Sequence, residues 1–105
     1  MNTDEIRDFL EGHSVFALDP STRAVSACID YRTDGTCLAR FTDGRNDPGV
    51  YGIENDTYWT RYETFREGKR HVFRLEARAP GVAQAYFADG TIAFLQSHSE
   101  TPEGI

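Results

Sequence analysis

A short pattern occurs twice in the chain and limits its fold more than any other feature. The segment Tyr31-Arg-Thr-Asp-Gly-Thr36 returns as Tyr86-Phe-Ala-Asp-Gly-Thr91, and alternating runs rich in apolar residues flank both copies. Asp-Gly between such runs is typical of a β-hairpin, because glycine readily adopts the positive φ that a tight loop requires. Each copy therefore predicts two antiparallel strands joined by a short loop.

The rest of the chain continues this pattern, with strand-like segments separated by turn residues. From His13 onward the apolar residues recur with a period of two. Eight strands are predicted, over residues 13–18, 24–32, 36–42, 49–54, 57–65, 70–78, 82–87 and 91–97. Short loops between consecutive strands favour an up-and-down sheet, which avoids exposed edges by closing on itself. The predicted fold class is mainly β, an eight-stranded antiparallel up-and-down meander or barrel over 13–97 with a short N-terminal helix.

The helix is predicted over residues 3–11. Thr3 is the expected N-cap, and Gly12 is expected to end the helix. One apolar stripe runs along it, formed by Ile6, Phe9 and Leu10. A helix this short needs a surface to pack on, which an open barrel end or one face of a sheet would supply.

Length and charge limit the domain organisation and the partners. The 105 residues fit one domain, 1–105, in which the polar residues 98–105 are predicted to form a flexible tail. No apolar run approaches the ~20 residues of a membrane helix, and the net charge of −6 repels phosphate backbones and anionic lipids. We therefore expect no nucleic-acid partner and no membrane partner. The N-terminus lacks the features of a secretory signal, which predicts a cytoplasmic protein; an exported protein whose signal was removed is the alternative.

Two cysteines flank the first hairpin. If Thr33-Asp34-Gly35 forms the loop, Tyr31 pairs with Cys37, and Cys28 pairs with Arg40. The two thiols then lie on opposite faces of the sheet, too far apart for a disulfide. Both are predicted to be free, which fits a reducing compartment.

The same register sorts the side chains by face. The apolar face of the first hairpin collects Val25, Ala27, Ile29, Tyr31, Cys37, Ala39 and Phe41. The equivalent face of the second copy is expected to hold Val82, Gln84, Tyr86, Ile92, Phe94 and Gln96. The two glutamines on that face need hydrogen-bond partners or a wet interior.

Several of these features together resemble a known class of protein. An N-terminal helix, a strand that follows Leu-x-Gly, the Tyr-x-x-Asp-Gly-Thr hairpin, Gly-x-Tyr and a Trp strand are similar to small bacterial lipocalin-like (calycin-type) domains of unknown function. The residues that carry the resemblance are Leu10, Gly12, Tyr31, Asp34, Gly35, Thr36, Gly49, Tyr51 and Trp59. The chain departs from exported members in lacking a visible signal peptide and a cysteine pair near Trp59. The resemblance implies the barrel fold and supplies no catalytic residues.

Aromatic side chains recur on most of the predicted strands and form the best candidate for a binding surface. An eight-stranded barrel either fills its interior with side chains or holds one small ligand. The first functional hypothesis is the binding of a small apolar or amphiphilic ligand in the interior. Its expected lining is Tyr31, Tyr51, Trp59, Phe73 and Tyr86. The alternative is a non-enzymatic protein–protein interaction module, or a homodimer, with a filled barrel.

Catalysis and metal binding have little support in the sequence. The three histidines lack metal-ligand spacing and the cysteines form no CxxC clamp, so no metal site and no cofactor are expected. Neither Gly-x-Ser-x-Gly nor a phosphate-binding loop occurs. Glu63 and His71 form the one acid–base candidate, if a loop at Arg66-Glu67-Gly68 places them opposite each other. We therefore expect that the protein is not an enzyme.

Overall fold

The structure, a computed structural model, describes residues 1–103 and forms a closed barrel. Each strand pairs antiparallel with the next strand in sequence, and the last pairs with the first. The elements are α1 (Thr3–Leu10), β1 (Ser14–Leu18), β2 (Val25–Tyr31), β3 (Thr36–Phe41), β4 (Asn46–Glu54), β5 (Thr57–Tyr62), a 3-10 turn (Phe65–Gly68), β6 (His71–Ala79), β7 (Val82–Phe87) and β8 (Ile92–Ser97). The prediction of an eight-stranded up-and-down barrel with a short N-terminal helix is confirmed.

Two strand boundaries differ from the predicted ones, and the other six strands agree within one residue at either end. β4 begins at Asn46 instead of 49, because residues 46–48 already pair with β3, although Pro48 has no N–H to donate. β5 ends at Tyr62, three residues early, because the chain then leaves the sheet for the 3-10 turn. Both differences lie at the same end of the barrel.

The first hairpin has the predicted register. Tyr31 lies opposite Cys37, Cys28 lies opposite Arg40, and Gly35 adopts a φ of 87°. The two thiols are free, with Cys37 buried in the core and Cys28 half-buried beside Arg40 on the outer face. Local turn chemistry was therefore enough to place both cysteines.

The second copy of the pattern has the same loop but presents the opposite face to the interior. Asp89 Oδ1 accepts hydrogen bonds from the N–H and hydroxyl of Thr91 at 2.9 and 2.6 Å, the distances that Asp34 has to Thr36. Nevertheless Tyr86 lies on the outer face opposite Ile92, which is 58% exposed, whereas Phe87 packs against the core.

The expected inward face is therefore wrong for β7 and for Ile92 on β8. Gln96 and Phe94 do face the interior, but they lie opposite Ala83 and Ala85. Val82, Gln84 and Tyr86 alternate with these alanines and lie on the other face. The Gln84 amide donates to the carbonyls of Ala85 and Phe94, next to the β-bulge in this pair of strands, which satisfies a buried polar group.

The reversal follows from the positions of the hairpins in the barrel. The β2–β3 loop lies at the end covered by α1, and the β7–β8 loop lies at the other end. Consecutive strands follow one another in a single direction around the barrel, and every hairpin has the same twist. A hairpin whose loop lies at the opposite end of the barrel can keep both properties only if its inner and outer faces are exchanged. The β3–β4 loop lies at the same end as the second copy. In this loop the Phe41 N–H donates to the Arg45 carbonyl, as the Phe87 N–H donates to the Thr91 carbonyl in the second copy. Phe41, like Phe87, packs against the core.

Helix α1 closes one end of the barrel. Its N-cap is Asn2 instead of the expected Thr3, because the Asn2 side chain accepts from the Glu5 N–H at 2.9 Å while Glu5 accepts from the Asn2 N–H at 2.8 Å. The predicted apolar stripe of Ile6, Phe9 and Leu10 is buried in the core. The described part of the chain contains no helix long and apolar enough to cross a membrane.

The predicted tail begins with a residue that contacts the closed end. The His98 ring stacks on Phe9 and His13 at centroid distances of 4.4 and 4.7 Å, and its Nε2 lies 2.7 Å from the Phe9 carbonyl oxygen. Residues 104 and 105 lie outside the described residues. The flexibility of 98–105 stays a prediction.

Candidate functional site

The half of the barrel away from α1 encloses a cavity of about 270 Å³ that opens at the barrel end. Small side chains on the adjacent strands β1, β2 and β3 leave this space. Ala17, Ala27 and Ala39 line it, where larger side chains would fill the interior. The half next to α1 is filled by larger side chains. We call the end with the cavity the open end; its loops span residues 19–24, 42–45, 63–70 and 88–91.

Aromatic rings form most of the cavity wall. Tyr31 and Phe73 line it, as the sequence predicts. Tyr58 stacks on Phe73 at a centroid distance of 5.2 Å, and Phe94 meets the same ring edge-on at 5.2 Å. These contacts join β5, β6 and β8 in one apolar surface with defined ring geometry.

The other three predicted lining residues lie elsewhere. Tyr51 is inside the barrel but in its filled half, where its hydroxyl donates to the Arg32 carbonyl at 2.6 Å. Trp59 and Tyr86 lie on the outer face, so their expected inward position is wrong. On β5 the residues that face inward are Tyr58, Thr60 and Tyr62, which forces Trp59 outward.

Basic side chains cover both outward rings. The Arg70 guanidinium lies 4.4 Å from the Trp59 ring centroid, and that of Arg74 lies 4.5 Å from the Tyr86 centroid. The Tyr86 hydroxyl also accepts a hydrogen bond from Arg78 at 2.7 Å. These contacts lie on the outer surface, so neither Trp59 nor Tyr86 lines the cavity.

Arg66 lines the cavity, although its sequence position indicated only a turn. Arg66, Glu67 and Gly68 adopt φ values of 56°, 59° and 67° in succession. The left-handed region costs an ordinary residue about 1–2 kcal/mol, so this loop needs support. Asp47, buried at the start of β4, provides it by accepting hydrogen bonds from the Phe65 N–H at 2.6 Å and the Thr64 hydroxyl at 3.0 Å.

The Arg66 guanidinium lies against the aromatic wall. Its central carbon is 4.6, 5.1 and 5.7 Å from the ring centroids of Phe65, Phe73 and Phe94. Burial lowers the pKa of Arg66 from its usual value, and the charged forms of the nearby tyrosines oppose this shift. Arginine remains protonated even so, because its ordinary pKa is so high. The cavity therefore has a fixed positive charge in a largely apolar wall.

Three buried tyrosines form part of the wall of the same cavity. Burial raises the pKa of Tyr31, Tyr58 and Tyr62, which keeps each hydroxyl protonated and able to donate. The Tyr31 hydroxyl accepts a hydrogen bond from Gln96 Nε2 at 3.3 Å. The Tyr58 hydroxyl is buried near the Tyr31 hydroxyl and has no partner within hydrogen-bond distance among the described residues.

The predicted acid–base pair does not form. Thr60 lies opposite His71 in the β5–β6 register, and Glu63 lies in the exposed segment after β5. The pairing of Glu63 with His71 is therefore wrong, because the strand ends before Glu63 and the loop is longer than expected. Within residues 1–103, no three His, Cys, Asp or Glu side chains form a group that could hold a metal ion.

Comparisons of the chain with protein-family models, with curated proteins and with solved structures each find no match. The closed antiparallel barrel is consistent with the lipocalin-like fold that the sequence resembles, and membership of that class stays a prediction.

Proposed function

We propose that the protein is a non-enzymatic binding module that holds one small apolar or amphiphilic ligand inside its barrel. The observation that supports this proposal is the aromatic cavity of about 270 Å³ at the open end. An apolar cavity of roughly 150 Å³ holds benzene, and ordinary small-molecule pockets span about 300–1,000 Å³. The ligand is therefore larger than a single ring and smaller than most drug-sized compounds.

The alternative, an interaction module with a filled barrel, has less support. A filled interior would leave no open cavity of this size. Among the described residues, Ile92 is the large hydrophobic side chain that stands well exposed. One isolated residue is normal on a protein surface and does not form an apolar docking patch.

Titration with aminoanthracene, a neutral fluorescent aromatic probe, tests the proposal. We expect saturable binding to the wild-type protein and at least a tenfold loss in Ala39→Leu, because the added carbons occupy the cavity. Ala27→Val is a milder filling variant for which near-UV circular dichroism confirms the fold. Tyr86→Leu is the control, because it removes an aromatic ring from the outer face.

Two results from the wild-type protein and the filling variants would overturn the proposal, and the control gives a third. One is the absence of saturable binding to the wild-type protein. The other is equal binding by the wild-type protein and a folded cavity-filling variant, which would place the probe outside the barrel. Loss of binding in Tyr86→Leu would likewise point to the outer surface.

A further inference from the structure

We propose that the ligand of the cavity is an amphiphile with a carboxylate headgroup, and that the guanidinium of Arg66 binds this carboxylate. The inference rests on the proposed function, because it concerns the same cavity. It adds the chemical class of the ligand and assigns a role to the loop that carries Arg66.

The charge of Arg66 has no partner among the described residues. No carboxylate and no other hydrogen-bond acceptor of residues 1–103 pairs with its guanidinium. By contrast, Arg40, Arg70 and Arg78 each pair with a carboxylate on the outer surface. Arg32 and Arg61 also lack such a partner but are exposed, so water solvates them. Arg66 is thus the half-buried cation whose charge has no counterion in the described chain.

The aromatic rings around Arg66 satisfy its charge only in part. Cation–π contacts at 4.6 to 5.9 Å stabilise a cation over the ring faces. A guanidinium also carries five N–H donors in one plane, and ring faces leave the in-plane donors unused. A carboxylate matches two of these donors at once, which makes it the anion of best fit.

The acidic residue of the wall does not compete for Arg66. Asp19 lies at the rim, and its Oδ1 accepts hydrogen bonds from the N–H groups of Ser21 and Thr22 at 2.8 and 2.9 Å. Its carboxylate is therefore held within its own turn. The remaining wall near Arg66 is formed by rings and small apolar side chains, which suit an alkyl chain or an aromatic body behind the headgroup.

Competition between two ligands of equal length tests the inference. Octanoate and octanol each displace aminoanthracene, and they differ in the headgroup alone. We expect the wild-type protein to favour octanoate by about tenfold or more, because a hydrogen-bonded charge contributes about 1.5–3 kcal/mol. Arg66→Met is expected to abolish this preference, read as the ratio of the octanoate and octanol affinities within the same variant.

Matched variants separate the role of Arg66 from the net charge. Arg70→Met removes the same charge four residues further along the chain, where the side chain lies on the outer surface against Trp59 and Glu54. Its preference for octanoate should equal that of the wild-type protein. In the wild-type protein, the NMR signal of the Arg66 Nε–H group should shift with octanoate and remain in place with octanol.

The outcomes distinguish this inference from the proposed function. Equal displacement by octanoate and octanol, a preference that survives Arg66→Met, or an Arg66 signal that octanoate leaves in place would overturn the carboxylate assignment. A wild-type protein that fails to bind the neutral probe would overturn the binding function itself. The NMR measurement needs no variant, so a misfolded Arg66→Met protein would still leave a decisive result.

Discussion

Two tyrosines inside the barrel differ in how their hydroxyl groups are satisfied. The Tyr51 hydroxyl donates to the Arg32 carbonyl at 2.6 Å, whereas the buried Tyr58 hydroxyl has no partner in the described chain. A typical hydrogen bond stabilises a protein by about 1 kcal/mol, and an unsatisfied buried polar group costs about 1–3 kcal/mol. The two residues should therefore respond in opposite directions to the loss of the hydroxyl.

We expect Tyr58→Phe to raise the free energy of unfolding of the ligand-free protein by about 1 kcal/mol, and Tyr51→Phe to lower it by about 1 kcal/mol. Urea denaturation of the two variants and the wild-type protein measures both changes. A Tyr58→Phe protein as destabilised as Tyr51→Phe would contradict the assignment of an unpaired hydroxyl. Both substitutions remove one oxygen from an otherwise intact ring, so each serves as the other's control.

Single residues also show where sequence analysis reached its limit. Tyr31 and Phe73 were predicted to line the cavity and do so, because they continue the apolar alternation of their strands. Arg66 was missed, since its left-handed backbone has no signature in an ordinary residue type. The Asp47 side chain that supports this loop is on another strand, and a one-dimensional pattern does not show their contact.

At the level of the elements, the hairpins owe their loops to aspartate side chains. Asp34 and Asp89 each accept hydrogen bonds from the N–H and hydroxyl of a threonine two residues ahead. These bonds favour the ionised carboxylate and lower the pKa of both aspartates. Both side chains are exposed, so their effect on stability is modest and screened by solvent.

The direction of the pH dependence follows from the lowered pKa values. Each carboxylate adds stability above the unfolded-state pKa of about 4, and that stability is lost as the pH falls through the lower folded-state pKa. We therefore expect the free energy of unfolding to fall below about pH 4. The double variant Asp34→Asn/Asp89→Asn should show a shallower fall, because asparagine keeps the acceptor oxygen but does not titrate.

Urea denaturation at a series of pH values between neutral and acidic measures this difference. Ser21→Ala, which removes an exposed hydroxyl that makes no hydrogen bond to the described residues, is a control for any exposed polar substitution. Equal pH slopes in the wild-type protein and the double variant would show that these loops do not contribute to the acid sensitivity.

At the level of the whole molecule, one core joins the helix to all the strands that surround it. Leu10 on α1 is fully buried together with Val15, Tyr58 and Leu75 of the barrel. Ile92 on β8 is 58% exposed and lies on the outer face. Removal of apolar carbons at these two sites should have different effects.

We expect Leu10→Ala to lower the free energy of unfolding by about 2–5 kcal/mol, because it leaves a cavity in the closed end. Ile92→Ala should change it by no more than about 0.5 kcal/mol, as is usual for surface positions. Denaturation followed by both fluorescence and circular dichroism measures the changes and tests for a single transition. A Leu10→Ala protein as stable as Ile92→Ala would indicate that α1 is not part of the folding core.

The sequence by itself determined the number of strands, the register of the first hairpin and the separation of Cys28 and Cys37. These features depend on turn chemistry and on alternation between near neighbours in the chain. Only the tertiary structure decided which face of each hairpin is inside, whether the barrel is hollow and where Arg66 points. Those features depend on closure of the sheet, since two copies of one hairpin at opposite ends of a barrel present opposite faces to its interior.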